Sequence, residues 1–159
     1  MTDHLTPEER SWNMSRIRSK DTSPEKTVRS LLHRLGYRFR LHRRDLPGKP
    51  DIVLPKHSTV IFVHGCFWHR HEGCKYAYTP KSRIEFWNAK FQTNAQRDVA
   101  VQDQLRALGW RIIIVWECET HDVRSLEAHL SYLLCGEPTK VTHLSDLVAA
   151  EQSPQYDPH

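Results

Sequence analysis

No stretch of about eighteen consecutive apolar residues occurs in the 159-residue chain, which excludes a membrane-spanning helix. Residues 1–10 lack the apolar core of a secretory signal, so residence in the cytoplasm is expected, where thiols stay reduced. The four cysteines are then candidates for metal binding or catalysis before disulfides. There is no internal repeat and no second hydrophobic core, and hydrophobic residues make up only 38% of the chain. One domain with one core fits that size. Acidic charge is scarce over most of the length. Residues 1–116 hold 21 Lys and Arg against 11 Asp and Glu, a net of +10, whereas 117–159 hold 2 against 8, a net of −6. A basic body with an acidic end suits a polyanion held on one face, although a solvated basic surface accounts for the charge equally well.

What the chain does have is concentrated in residues 62–76. Two cysteines (Cys66, Cys74), three histidines (His64, His69, His71) and the adjacent aromatics Phe67 and Trp68 fall in that stretch. A core strand would not carry three imidazoles, and a solvent loop would not carry Phe-Trp. Metal binding accounts for the Cys and His, and stacking on a flat partner for the aromatics.

Around this segment the pattern is that of one α/β domain. Thr6-Pro7-Glu8-Glu9 starts a helix running to about Arg18, with Met14 and Ile17 as a small apolar pair. Thr22-Ser23-Pro24-Glu25 starts a second helix. Val28, Leu31, Leu32 and Leu35 recur at the helical period, and Gly36 stops it. Glu25 sits in the first turn, where a carboxylate complements the helix dipole, so capping is its ordinary account. Residues 37–41 alternate as a half-buried strand, a basic loop follows, and Asp51–Leu54 and Thr59–Val63 form a hairpin. That hairpin brings Asp51 near the 63–65 segment at one edge. A capping box at Ser82–Glu85 opens a helix to about Phe91, and Asn94 caps another carrying Val99, Val101, Leu105 and Leu108, stopped by Gly109. Residues 110–116 form a further buried strand of the same sheet. Ser125 to Cys135 is an amphipathic helix, in which Cys135 is plain core. Residues 137–159 form an acidic tail, with some structure over 141–148.

Zinc favours four tetrahedral thiolate and imidazole ligands. Cys66-x4-His71-x2-Cys74 supplies three, and Cys118, at the end of the neighbouring strand, is the natural fourth. Spacing alone also allows His69 in place of His71, and buried free cysteines are the plain alternative. A closed site of this composition is structural, since no position stays open for water. Separately, an aspartate opening a strand, Pro50-Asp51-Ile52-Val53, is how metal-dependent nucleases of the PD-(D/E)XK kind hold Mg²⁺. The Glu-x-Lys that usually completes their site is missing here; Phe62-Val63-His64 stands in its place.

The strings Leu46-Pro47-Gly48-Lys49-Pro50-Asp51, His64-Gly65-Cys66-Phe67-Trp68-His69, Glu85-Phe86-Trp87, Asn94 to Asp98 and Val115-Trp116-Glu117-Cys118 resemble the very-short-patch repair endonuclease family, over about residues 12–136. That family nicks the strand 5′ of the thymine in T:G mismatches left when 5-methylcytosine deaminates, with Mg²⁺. The resemblance implies a single α/β domain with a central mixed sheet flanked by helices, restriction-endonuclease-like, with a structural zinc site. It implies that Asp51, with the Val63 carbonyl, binds Mg²⁺, that His69 is the general base in place of the missing lysine, and that Asp98 orients it. It gives Glu25 a metal-supporting role through water, over simple capping, and puts His64 near the scissile phosphate. It assigns zinc to Cys66, His71, Cys74 and Cys118. Phe67, Trp68 and Trp87 then enter DNA from the major groove, with Met14 and Ile17 from the minor groove. One departure is the Glu72-Gly73 spacer before Cys74, one residue longer than the family's usual spacing, which the glycine accommodates.

Taken together, residues 1–20 are expected to be a DNA-contacting arm, 21–136 the nuclease domain with its zinc site, and 137–159 the acidic tail. The expected partner is double-stranded DNA with a T:G mismatch, and no membrane. A single-strand nick needs one active site, so the protein is expected to act as a monomer. The basic residues Arg38, Arg40, Arg43, Arg44 and Lys49 suit phosphate contacts. The competing readings are a restriction-type nuclease of the same fold acting on paired DNA, and a non-catalytic zinc-stabilised DNA-binding module.

Overall fold

Continuous apolar strands need cover on both faces, and that requirement sets the architecture. A computed structural model describes residues 5–17 and 19–135. Four strands form one mixed sheet in the order β1 (Arg40–Leu41), β2 (Ile52–Leu54), β3 (Thr59–His64), β4 (Arg111–Trp116). β1/β2 and β2/β3 are antiparallel, and β3/β4 parallel, with Ile61 opposite Ile52 on one side and Ile113 on the other.

Strand alternation splits the apolar residues cleanly. Ile52, Leu54, Ile61, Ile113 and Val115 point to one face, where they meet Val28, Leu31 and Leu32 of α2 (Ser23–Arg34) and Leu126, Leu130, Leu133 and Leu134 of α4 (Val123–Cys135). Val53, Val60, Phe62, Ile112, Ile114 and Trp116 point to the other, packed with Leu46, Cys66 and Leu105 of α3 (Ile84–Ala107). Burying each Leu, Ile or Val of these layers is worth roughly 1.5–3 kcal/mol. The sheet is thus held between α2/α4 and α3, and the carboxyl ends of β3 and β4 open together on the side of the Cys/His segment.

Several sequence expectations are corrected. Residues 84–107 form one 24-residue helix, not two. No Gly or Pro interrupts it. Asn94, expected as a cap, lies inside it and donates from Nδ2 to the Trp68 carbonyl at 3.1 Å, so its side chain does not compete with the helix backbone. The Ser82 capping box is not used; the N-cap is Arg83, at φ 52°, with no side-chain bond. Val99 and Leu108 are exposed, because only Phe91 and Leu105 of α3 are fully buried. The strand expected over 37–41 shrinks to Arg40–Leu41. Tyr37 and Phe39 pack against the α2/α4 layer instead.

α1 (Pro7–Ser15) ends earlier than expected, so Met14 lies on it and Ile17 beyond it. Its capping box is made: Glu9 N–H donates to Thr6 Oγ1 at 3.2 Å and Thr6 N–H to Glu9 Oε2 at 2.8 Å. It buries no residue, as its sparse apolar content foretold. α4 begins two residues before Ser125, since Asp122 caps it by accepting from Ser125 N–H at 3.2 Å. Cys135, expected in the core, is exposed at the last position of that helix. The acidic tail and the structure expected over 141–148 lie outside the described residues.

The Leu46–Pro50 loop delivers Asp51 to the sheet, and Gly48 lets it do so. Gly48 has φ +71°, and a Cβ there would stand 2.3 Å from Val101 Cγ1. A β-branched helical side chain has essentially one rotamer and cannot turn away. Gly48→Ala is expected to cost roughly 2–4 kcal/mol, from the left-handed backbone plus overpacking. Gly36→Ala, at φ +85° with nothing within 4 Å, costs only the backbone share. Chemical denaturation of the two variants side by side checks this. Equal losses would remove the Val101 contact from the account.

Candidate active site and metal centre

The register fixes where the chemistry collects. Ile52 opposite Ile61 puts Asp51 beside the end of β3, and Val63 N–H donates to Asp51 Oδ2 at 2.8 Å. The hairpin therefore brings Asp51 to the 63–65 segment as expected, although at the end of the two central strands and not at a sheet edge. Burial pushes the Asp51 carboxyl up from 3.8 to about 6, with the Glu25 charge adding to the rise. A carboxylate raised in this way keeps its proton in mildly acidic solution, and a cation that binds it competes with that proton.

Asp51 lies in a cleft of about 1170 Å³ lined also by Glu25, His64, Trp68, His69 and Asp98. His69 Nδ1 lies 2.5 Å from Asp98 Oδ2, a bond from the loop after β3 to the middle of α3. A carboxylate can only accept, so the pair fixes Nδ1 as the protonated nitrogen and leaves Nε2 as the base. His64, 7% exposed, stacks on His69 with ring centres 3.8 Å apart and planes within 7°. Glu25 is 3% exposed, and its Oε2 accepts from Asp21 N–H at 2.9 Å. Its N–H meets the Thr22 hydroxyl at 3.4 Å, so the cap is made by Thr22 while the Glu25 carboxylate turns elsewhere.

A second cluster lies behind the first. Cys66, His71, Cys74 and Cys118 bring four ligand atoms within 4.8 Å of one another. His71 Nδ1 is 3.7 Å from Cys66 Sγ and 3.3 Å from Cys118 Sγ. His69, the other imidazole within spacing, is turned to Asp98 instead. Gly73, at φ +71°, supplies the turn that the longer spacer needs. Burial, with Cys66 beside it, pushes the Cys118 thiol up to about 12. Three sulfurs and an imidazole crowded in this way are well suited to a shared divalent cation.

Trp116, given no role by sequence, joins the two clusters. Its ring stacks on His71 at 4.3 Å and meets His64 edge-on at 5.4 Å. Parallel pairing of β3 with β4 sets His64 opposite Trp116, so an aromatic column runs His71, Trp116, His64, His69. Periodicity marked Trp116 only as strand core. Asn94, Lys90, Arg97 and Glu117 also line the cleft, and none of them was singled out for it.

The aromatics form their own group, of which Trp68 lines the cleft. Phe67 contacts Trp68, Tyr78, Trp87 and Phe91 at ring separations of 5.0–5.4 Å. Phe67, Trp68 and Trp87 are half-buried, whereas Met14 and Ile17 are 40% and 52% exposed. Ile17 lines the cleft. The basic loop residues, alike in sequence, separate in space. Arg44 and Lys49 line the cleft, whereas Arg43 is tied to Asp45, its Nε 2.9 Å from Oδ1. No helix among the described residues is long and apolar enough to cross a membrane.

The family model for the DNA mismatch endonuclease Vsr matches residues 2–75. The type II nicking enzyme V.XorIIP of Xanthomonas oryzae pv. oryzae is 55% identical over 134 residues, 84% of this chain and 98% of that protein. The type II nicking enzyme V.NmeAIP of Neisseria meningitidis is 45% identical over 119 residues, 75% and 84% of the two chains. The DNA mismatch endonuclease Vsr of Escherichia coli K12 is 43% identical over 133 residues, 80% of this chain and 85% of that protein. Identity of 43–55% to such relatives over most of the length makes this chain a member of the Vsr family of DNA mismatch endonucleases.

Proposed function

We propose that this DNA endonuclease nicks the strand 5′ of the thymine in T:G mismatches arising from 5-methylcytosine deamination. The observation that carries the reading is the pairing, in one cleft, of the half-buried Asp51 with the His69–Asp98 couple. Phosphodiester hydrolysis needs a neutralised phosphate and an activated water. Asp51, with the Val63 carbonyl, would hold Mg²⁺, which offsets phosphate charge and lowers the pKa of bound water. His69 takes the proton of the attacking water through Nε2, and Asp98 keeps the ring in the tautomer that can do so. His64 lies beside the same phosphate. Glu25 would support the metal through water. The mixed sheet with an aspartate opening β2 supports a restriction-endonuclease-like fold.

Cys66, His71, Cys74 and Cys118 would hold a structural Zn²⁺, which ties the loop after β3 to the end of β4. Through that loop and the Trp116 column the zinc residues brace both His69 and the Phe67–Trp68 wedge. Phe67, Trp68 and Trp87 enter the stack from one groove, with Met14 and Ile17, on the arm formed by residues 1–20, from the other. Unstacking costs a few kcal/mol per step, least at a weak mismatch, which gives a physical preference for T:G. Arg44 and Lys49 are placed for backbone phosphates. One cleft suffices for one nick, so the protein works as a monomer, with 137–159 as an acidic appendage outside the nuclease unit.

The test uses two labelled duplexes differing only by T:G in place of C:G, each with Mg²⁺ or EDTA, in several flanking contexts. A nick 5′ of the thymine, only with Mg²⁺, is expected. Cleavage of the paired duplex would move the reading to a restriction-type enzyme, and binding without cleavage to a DNA-binding module. Zinc has its own check. Metal analysis is expected to find about one zinc per chain, and Cys118→Ala to lose it together with on the order of 4 kcal/mol of stability. Full stability without zinc would leave the cysteines as plain core.

A further inference from the structure

Glu25 carries a charge into the interior at the end of α2 nearest Asp51, with 3% of its surface exposed. A carboxylate so buried needs a partner to stay ionised. The partner lies one turn along the same helix. Arg29 Nη2 is 3.0 Å from Glu25 Oε2, 2.8 Å from Asp21 Oδ1 and 3.0 Å from His42 Nε2. One nitrogen thus stands among two carboxylates and an imidazole drawn from α2, the turn before it and the loop after β1. A guanidinium has no acceptor, so a hydrogen bond between the two runs from Arg29 to His42 Nε2, which also lies 3.6 Å from each carboxylate.

This is more than a surface i,i+4 pair worth a few tenths of a kcal/mol. The Arg29 side chain is only 15% exposed. Its guanidinium beside Asp21 holds that carboxyl below the ordinary carboxylate range. Around Arg29, the ligand atoms of Asp21, Glu25 and His42 lie within 4.8 Å of one another, close enough to share a divalent cation were the guanidinium removed. The cluster also touches the catalytic strand directly: His42 N–H donates to the Asp51 carbonyl at 3.3 Å. Arg29 therefore bears on Asp51 by two routes, the charge of Glu25 and the loop of His42.

The geometry points to Arg29 as a positioning residue for the nicking reaction, an internal cation that holds Glu25 beside Asp51 and keeps a second metal ion out of the Asp21–Glu25–His42 pocket. The inference rests on the cleft being the nuclease site. Arg29 touches neither Asp51 nor the mouth of the cleft, so it acts through Glu25 and His42 and not on the phosphate. A lysine in its place keeps the charge and three donors on one nitrogen, but its side chain ends one bond short of the position of Arg29 Nη2.

The test compares the full-length protein with Arg29→Ala, Arg29→Gln and Arg29→Lys, each below its own melting temperature. Single-turnover nicking of a T:G duplex, duplex affinity, thermal midpoint and Mn²⁺ stoichiometry by electron paramagnetic resonance are measured. Arg29→Ala and Arg29→Gln are expected to nick about 10–100-fold more slowly with duplex affinity unchanged, and Arg29→Lys to recover part of the loss. Arg29→Ala is also expected to bind one Mn²⁺ more per chain than the parent. If Arg29→Ala does not fold, Arg29→Gln carries the rate comparison. The inference is overturned by variants nicking within twofold of the parent, or by an unchanged Mn²⁺ count. It is equally overturned by a rate loss that follows the thermal midpoint with lysine no better than alanine. A parent protein that leaves T:G duplexes intact in Mg²⁺ refutes the functional reading instead. A parent that nicks beside variants that match it refutes only the role of Arg29.

Discussion

Asp51→Asn is expected to abolish nicking, by about 10³-fold or more, while duplex affinity stays within a few-fold of the parent. The amide keeps the size of the carboxylate and an acceptor for Val63 N–H, now 2.8 Å from Oδ2, so the β2/β3 hairpin survives. What disappears is the negative charge that holds a divalent cation. The same residue makes a pH prediction. Burial raises the Asp51 carboxyl from 3.8 to about 6, so the folded chain holds this proton more tightly than the unfolded one. The stability from this group is present below the unfolded value and is lost as pH rises toward 6. A cation that binds the folded carboxylate restores it. Mg²⁺ is therefore expected to raise the melting temperature at about pH 7.5 and to do so far less at about pH 5, where the proton competes. Asp51→Asn should remove the difference. A Mg²⁺ shift that is equal at both pH values, or that persists in the variant, would place the ion elsewhere.

His69→Ala should slow nicking by about 10²–10⁴-fold, the usual worth of a positioned general base. Asp98→Ala should cost less, about 10–100-fold, since it removes the orienting partner and leaves the imidazole. In the double variant the two losses should not add, because Asp98 acts only through the 2.5 Å bond to His69 Nδ1. Additive losses would mean that Asp98 has a separate task in the cleft. Duplex affinity serves as the control, because neither residue belongs to the aromatic group around Phe67.

Much of the fold was readable because its determinants are local. Thr6 and Thr22 cap as their spacing to Glu9 and Glu25 suggested, and Gly36 and Gly109 end their helices at φ +85° and +87°. The run 59–63 reads as a doubly covered strand and 110–116 as a buried one, and the two core layers on the faces of β3 and β4 bear that out. α3 was misread for a complementary reason. Asn94 carries a strong local capping signal, and only the Trp68 carbonyl, 26 residues away, turns its amide to another use.

The site divides along the same line. Sequence alone marked Asp51, the Cys/His segment and Cys118, because these residue types at these spacings have few other uses. Spacing did not separate His69 from His71, and only the family resemblance assigned them. That choice is made by the parallel register of β3 and β4, which carries Cys118 to His71 across 47 residues, and by α3, which carries Asp98 to His69 across 29. Trp116 between the two imidazoles and Arg29 among Asp21, Glu25 and His42 were likewise invisible, being a strand residue and a helix-surface arginine in one dimension. The sequence by itself determined the elements, the family and the chemical vocabulary, since capping, periodicity and ligand type act over a few neighbouring residues. Which imidazole faces the thiols, which faces a carboxylate, and which cation steadies Glu25 were decided only by tertiary structure, because those energies depend on sheet register and on contacts between segments far apart in the chain.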